Sequence, residues 1–208
     1  MARRRGWNGH PPASDEEATE RIVATAVTMI AESGSDVSLA EVAESLGVIR
    51  QTVYRYFPSA EALMHAAALA SVDGFLDRLT EAVRGISDPA EAMTEGVLYT
   101  LEEVARTPHL GILLSEPYHH AHTPSLASEE AQTLGMRMIT RFDVDWKHYG
   151  YDQAALRELV EFSLRTMLSF FVAPNDPGRS REDLRRFITR WLGSAIVAQQ
   201  PDAAVARG

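Results

Sequence analysis

Cysteine is absent from the 208 residues. That removes disulfides, thiolate zinc sites and cysteine nucleophiles together, and it fits a reducing compartment. No uncharged apolar run approaches the ~18 residues needed to span a bilayer. The start, Met1-Ala2-Arg3-Arg4-Arg5, leads into polar residues and prolines rather than an apolar core, so no secretory signal is read. These absences predict a soluble cytoplasmic protein with no membrane partner. A basic balance is also lacking: the formal net charge is −9. Residues 1–57 carry 6 basic and 8 acidic side chains, and residues 58–208 carry 14 and 21. A general nucleic-acid coat is excluded, since that would be basic overall. A small DNA face set by placement is not, because charges are screened within about 10 Å. Phosphate-cradling glycine loops, nucleophile elbows and HExxH are missing too, so nothing points to an enzyme, and no cofactor is expected. An alternating strand pattern of useful length is the last absence.

What is present is helical punctuation. Ser14-Asp15-Glu16-Glu17 has the form of a capping box, ahead of Ile22, Val23, Ala26, Val27 and Ile30 at helical spacing. Gly34 is the expected stop. Ser38-Leu39-Ala40-Glu41 opens a second, short helix that Gly47 ends. A third short segment runs from Val48 to about Tyr56, and Pro58 breaks it. Ser59 caps a long helix reaching towards Gly85. Asp88-Pro89-Ala90-Glu91 starts the next, to about Ala105. Thr107-Pro108 and Thr123-Pro124 repeat the proline-first device, with a bend between Ser115 and His122. A helix is expected from Pro124 to about Tyr149, another from Asp152 to Val172, and a last one from Ser180 to about Gln200. The expectation is an all-α chain of about nine helices. Its parts are a flexible basic arm (1–13), a helix-turn-helix domain (14–60), a helical effector-binding and dimerisation domain (61–200) and a frayed tail (201–208).

Residues Ser38 to Phe57 form one object: a capped helix, a glycine, a tight turn and a second helix. That is the layout of a helix-turn-helix, whose second helix enters the major groove. Leu39, Val42, Ala43, Leu46, Val48 and Val53 give the pair an inner face. The other face offers Arg50, Gln51, Thr52, Tyr54, Arg55 and Tyr56. Arg and Gln suit guanine and adenine edges, and Thr and Tyr hydroxyls suit phosphates. No acid lies between Val48 and Phe57. From spacing alone, a purely structural helix pair remains equally open.

The run Leu46-Gly47-Val48, Thr52-Val53-Tyr54-Arg55-Tyr56-Phe57-Pro58-Ser59, Glu61-Ala62-Leu63 closely resembles the signature of TetR-family regulators, over roughly residues 16–65. The resemblance implies a recognition helix from about Val48 to Tyr56. It places Arg50 and Gln51 where sequence is usually read, and Thr52, Tyr54 and Tyr56 where phosphates or base edges are touched. Ser38 would cap the first helix and donate to a phosphate. Two positions depart from the pattern: Ile49 stands where a serine is common, and Ala60 where a lysine is usual. Arg3, Arg4 and Arg5 are candidates to restore the missing cation as an arm; a solubilising tail is the equal alternative.

The resemblance further implies a homodimer through helices near 152–172 and 180–200, on a near-palindromic double-stranded operator. It implies a repressor released by a small molecule. Candidate effector-lining residues are Tyr99, Leu113, Leu114, Met136, Met138, Phe142, Trp146, Phe162 and Phe170, which favour an apolar ligand; Arg137, Arg141 and Arg165 are the possible anionic anchors. Glu116, His119, His120 and His122 match no standard zinc spacing and read as loop or gate residues, so no metal is expected. The alternative function is a helical small-molecule-binding or carrier protein with a degenerate helix-turn-helix.

Overall fold

A computed structural model of the chain describes residues 6–33, 36–107, 110, 129–174 and 176–199. Among them every regular element is helical and no strand occurs, as the punctuation predicts. A 3-10 turn (Trp7–Gly9) precedes α1 (Asp15–Ser33), α2 (Leu39–Ser45), α3 (Arg50–Tyr56), α4 (Ala60–Ala82) and α5 (Pro89–Arg106). Then come α6 (Glu129–Ile139), α7 (Gln153–Val172), α8 (Arg181–Ile188), a π-helical segment (Thr189–Gly193) and α9 (Ser194–Ala198).

The chain divides into two compact units. The first holds the residues up to Asp73 with those from Val104 to Leu110; the second holds Gly74 to Glu103 and everything described from Glu129 onward. The first unit has one core. α1 contributes Ala18, Ile22, Ala26 and Ile30, four apart and all fully or nearly buried. α2 adds Leu39, Val42 and Ala43, α3 adds Val53, and the first turns of α4 add Leu63, Met64 and Ala67. A boundary at residue 60, read from the proline and serine, therefore cuts across this packing, which extends to Asp73.

Part of the segment 1–13, expected to be a flexible arm, is held against the first unit. Trp7 packs against the core, with the Arg21 guanidinium 5.8 Å from its ring centre. Arg21 donates to His10 O at 2.6 Å, and Asn8 Nδ2 donates to Ser45 O at 3.0 Å. A buried indole face and satisfied backbone carbonyls outweigh the chain entropy of a free tail here. Arg3, Arg4 and Arg5, like the stop at Gly34 and the tail from residue 201, lie outside the described residues.

In the second unit, α4 buries Phe75, Leu76 and Leu79, α5 buries Met93, Val97, Leu98 and Leu101, and α7 buries Leu156, Leu159, Val160, Leu164, Met167 and Leu168. Asp152 and Ser180 cap α7 and α8 as expected, accepting from Ala155 N and Asp183 N at 2.8 and 3.1 Å. Two expectations fail. The helix read as running to Tyr149 ends at Ile139. Beyond it Phe142, Val144 and Trp146 are buried while Asp143 and Asp145 between them are exposed, so the chain turns inward every second residue. Trp146 Nε1 donates to Ile139 O at 3.1 Å and so satisfies an end carbonyl of α6. Asp143 accepts from Gly85 N at 2.8 Å. The last helix is interrupted by the π-helical segment, which no sequence signal marks.

Candidate nucleic-acid interface and apolar cavity

The frame of the helix pair is built by caps. Ser38 Oγ accepts from Glu41 N at 3.2 Å, while Glu41 Oε2 accepts from Ser38 N at 2.8 Å and from the Ser38 hydroxyl at 2.6 Å. This reciprocal box satisfies two backbone donors that a helix start leaves open. The hydroxyl, and then the N–H, of Ser38 hold the Glu41 carboxyl below its ordinary range. Ser38 is thus committed to the cap with both its proton and its lone pair.

After α2, Gly47 takes a φ of +67°, and Val48 N returns to Ala43 O at 2.9 Å. A side chain at Gly47 would be strained, and its Cβ would lie 2.7 Å from Asn8 Oδ1. The turn aims α3 outward. Val53 is fully buried beneath it and Phe57 nearly so. Arg50, Gln51, Tyr54 and Arg55, two adjacent pairs about one turn apart, share the exposed face. Thr52 and Tyr56 are half-buried. Ile49 is the N-cap of α3, offers no side-chain hydrogen bond and is 69% exposed. The helix therefore begins without the usual polar cap, as the Ile49 departure predicts.

Arg55 and Tyr56 are engaged within the protein. Asp15, the first residue of α1, accepts from Arg55 Nη2 at 3.0 Å and from the Tyr56 hydroxyl at 2.7 Å, both at Oδ1. The guanidinium stacks 4.6 Å over the Tyr56 ring and bonds its phenol oxygen. That bond, reinforced by Asp15, raises the Arg55 pKa further. Sequence reading missed Asp15: 40 residues separate it from Arg55, and it had a sufficient local role at a helix start.

The second unit encloses a cavity of about 30 Å³ among α5, α6 and α7. Met93, Gly96, Val97, Gly135, Met138, Ile139, Phe142, Val160, Leu164 and Met167 line it, with Ser163 as its polar side chain. Ser163 Oγ already donates to Leu159 O at 2.7 Å. Of the residues proposed from sequence for an effector, Met138 and Phe142 lie on this wall. Met136 faces a polar groove with Arg137, Arg157 and Glu158 instead. Tyr99 lies against Phe75, Trp146 stacks edge-on against Tyr151, and Phe170 against Phe187. Phe162 is 51% exposed. Leu113 and Leu114 lie outside the described residues, as do Glu116, His119, His120 and His122. Arg141 pairs with Asp77 at 2.9 Å and Arg165 with Glu161 at 2.7 Å. The overlooked wall residues carried one legible sign: Gly96 and Gly135 sit inside helices, where glycine usually marks close packing.

Residues 22–67 match the profile described as bacterial regulatory proteins, tetR family. That match covers the helix-turn-helix and its flanking helices, and it makes this part of the chain similar to the N-terminal domain of that family. Solved structures agree in fold. A tetR-family transcriptional regulator from Streptomyces coelicolor is 17% identical with a TM-score of 0.56, covering 89% of this chain and 83% of that one. The TetR family repressor AlkX from Dietzia sp. is 22% identical with a TM-score of 0.54, covering 85% and 96%. A TetR transcriptional regulator from Rhodococcus sp. RHA1 is 21% identical with a TM-score of 0.53, covering 88% and 98%. Identities this low establish the TetR-like fold and nothing finer. Comparison with curated proteins gives no match. Among the described residues, no helix is long and apolar enough to cross a membrane, and no group of three or more His, Asp or Glu is placed to hold a metal ion.

Proposed function

We propose that this chain is a homodimeric TetR-family repressor that reads a near-palindromic operator with α3 and is released by a mainly apolar small molecule. The observation that carries the reading is the exposed row Arg50, Gln51 and Tyr54 on a short helix held from below by Val53 and Phe57. Arg50 and Gln51 have the donors and acceptors for guanine and adenine edges, and Tyr54 brings a hydroxyl for a phosphate. Ser38 holds the frame of that row through its cap, and Thr52, Arg55 and Tyr56 are further candidate DNA contacts beside it.

Dimerisation through α7 and the C-terminal helical run is supported by the large apolar side chains these elements leave exposed: Phe162, Val172, Trp191 and Val197. The apolar wall of the cavity favours an apolar effector. Its present volume is far below the roughly 300–1,000 Å³ of typical ligand pockets. The effector must then stabilise a more open arrangement, in which Met93, Met138, Met167 and Phe142 move aside. Unbranched methionines re-pack readily, and a ligand shifts the DNA-binding equilibrium by favouring the open state.

Selection of duplexes from a random pool by the purified protein tests the reading. Two inverted half-sites about one helical turn apart are expected, with a particle of two chains in solution. Enrichment of no sequence, together with a monomer, would leave a helical small-molecule carrier as the better account.

A further inference from the structure

The contact between Asp15 and the end of α3 has the chemistry of an occupied anion site. Two donors, a guanidinium N–H and a phenol O–H, converge on the single oxygen Oδ1 of Asp15. Arg55 is stacked on the Tyr56 ring, which fixes the direction of its donors. Arg55 lies on the same exposed face of α3 as Arg50, Gln51 and Tyr54, and both the Arg55 and Asp15 side chains are largely open to solvent. A guanidinium beside a hydroxyl is a donor set that suits a phosphate oxygen as well as a carboxylate.

We propose that Arg55 and Tyr56 form a cradle for one backbone phosphate of duplex DNA, and that Asp15 fills this cradle with its carboxylate until DNA displaces it. The inference rests on α3 being the DNA-facing helix. It adds an internal competitor at the DNA interface. Asp15 spares the free protein an unpaired cation on its recognition face. It also makes every duplex replace one anion before Arg55 can serve it, which lowers affinity without regard to sequence. The freed carboxylate near the phosphates then holds a cation back, so that fewer counterions are released on binding.

Exposed ion pairs of this kind are weak, and the change in affinity on losing one is well under tenfold. Asp15→Asn should therefore tighten binding roughly two- to fivefold, for the selected operator and for unrelated duplex alike. The plot of log affinity against log salt should steepen by up to about one unit, the value of one phosphate contact. In an Arg55→Gln background the same change at position 15 should give a clearly smaller gain. Asp15→Ala serves as a second variant, and circular dichroism with thermal melting confirms that each is folded. Unchanged or weaker binding by folded Asp15→Asn protein overturns the proposal and makes Asp15 a positioning residue for α3. So does a gain that is undiminished without Arg55. If the unaltered protein binds no duplex at any salt concentration, the assignment of α3 to DNA fails, and this proposal with it.

Discussion

The core under α3 and the core around the cavity are filled in different ways. Beneath α3 the side chains are mostly branched or small: Ile22, Ala26, Ile30, Val37, Val42, Ala43 and Val53, with Leu63 from α4. β-Branched residues hold one rotamer firmly. A scaffold of this kind presents Arg50, Gln51 and Tyr54 in one geometry. Around the cavity, Met93, Met138 and Met167, one phenylalanine edge, and two glycines that let helices approach closely stand among the branched Val97, Ile139, Val160 and Leu164. Flexible thioethers beside a small void make a wall that can re-form. On the proposed function, the stiffer core lies under the surface that would read DNA and the softer one around the space that would admit an effector.

Substitutions can break or sharpen that contrast. The largest effect should come from Ile22→Ala, since Ile22 is fully buried in the stiff core. A loss of about 2–5 kcal/mol is expected, read as a lower urea midpoint and accompanied by loss of DNA binding. A loss below about 1 kcal/mol would mean that the first core yields as readily as the second.

Gly135→Ala comes next. Its Cβ would strike the Val160 side chain on α7, and valine cannot swing aside. About 1–3 kcal/mol should be lost by overpacking. Gly96→Ala should cost clearly less in the same denaturation series, although its Cβ would lie 2.7 Å from Phe142 Cζ. The far end of that ring can tip into the void. Equal costs for the two alanines would mean that the cavity wall is not soft.

In the first unit, Ile49→Ser should stabilise α3 by roughly 0.5–2 kcal/mol through a new cap. Calorimetry would register it as a higher melting temperature, and DNA affinity should rise with it. The smallest effect concerns acid. Glu16, Glu41 and Asp183 each sit in the first turn of a helix. The Glu16 carboxyl is lowered first by its own backbone N–H, Glu41 by the Ser38 hydroxyl and Asp183 by the Ser180 hydroxyl. A carboxylate with a lowered folded-state pKa adds stability that is complete above the unfolded value and is lost as pH falls through the folded one. Melting temperature should thus decline on acidification below the ordinary Glu range. Glu41→Gln should lower the melting temperature slightly at neutral pH and so flatten that decline, the variant and the unaltered protein converging in acid.

Most of the first unit was legible because its signals are local. Ser38 and Glu41 stand three residues apart, Gly47 marks its own turn, and Ile22, Ala26 and Ile30 repeat at one spacing. The Asp15 contact was not legible, because nothing in a sequence pairs residue 15 with residues 55 and 56. The end of α6 was hidden for another reason. No glycine or proline lies between Gly135 and Gly150, and the chain leaves α6 through turns in which Phe142 N and the Trp146 indole both donate to Ile139 O. Little of the cavity was legible: of the candidate residues only Met138 and Phe142 lie on its wall, whereas Gly96 and Gly135 contribute by lacking a side chain.

The central claim is that α3 reads DNA through its exposed row. Its most direct test is the affinity of Arg50→Ala for the selected operator and for a set of single base-pair variants of it. The account predicts a loss of about 1–3 kcal/mol and relaxed preference at one position of each half-site, with other positions unaffected. Unchanged affinity and an unchanged preference profile in folded Arg50→Ala protein would contradict it.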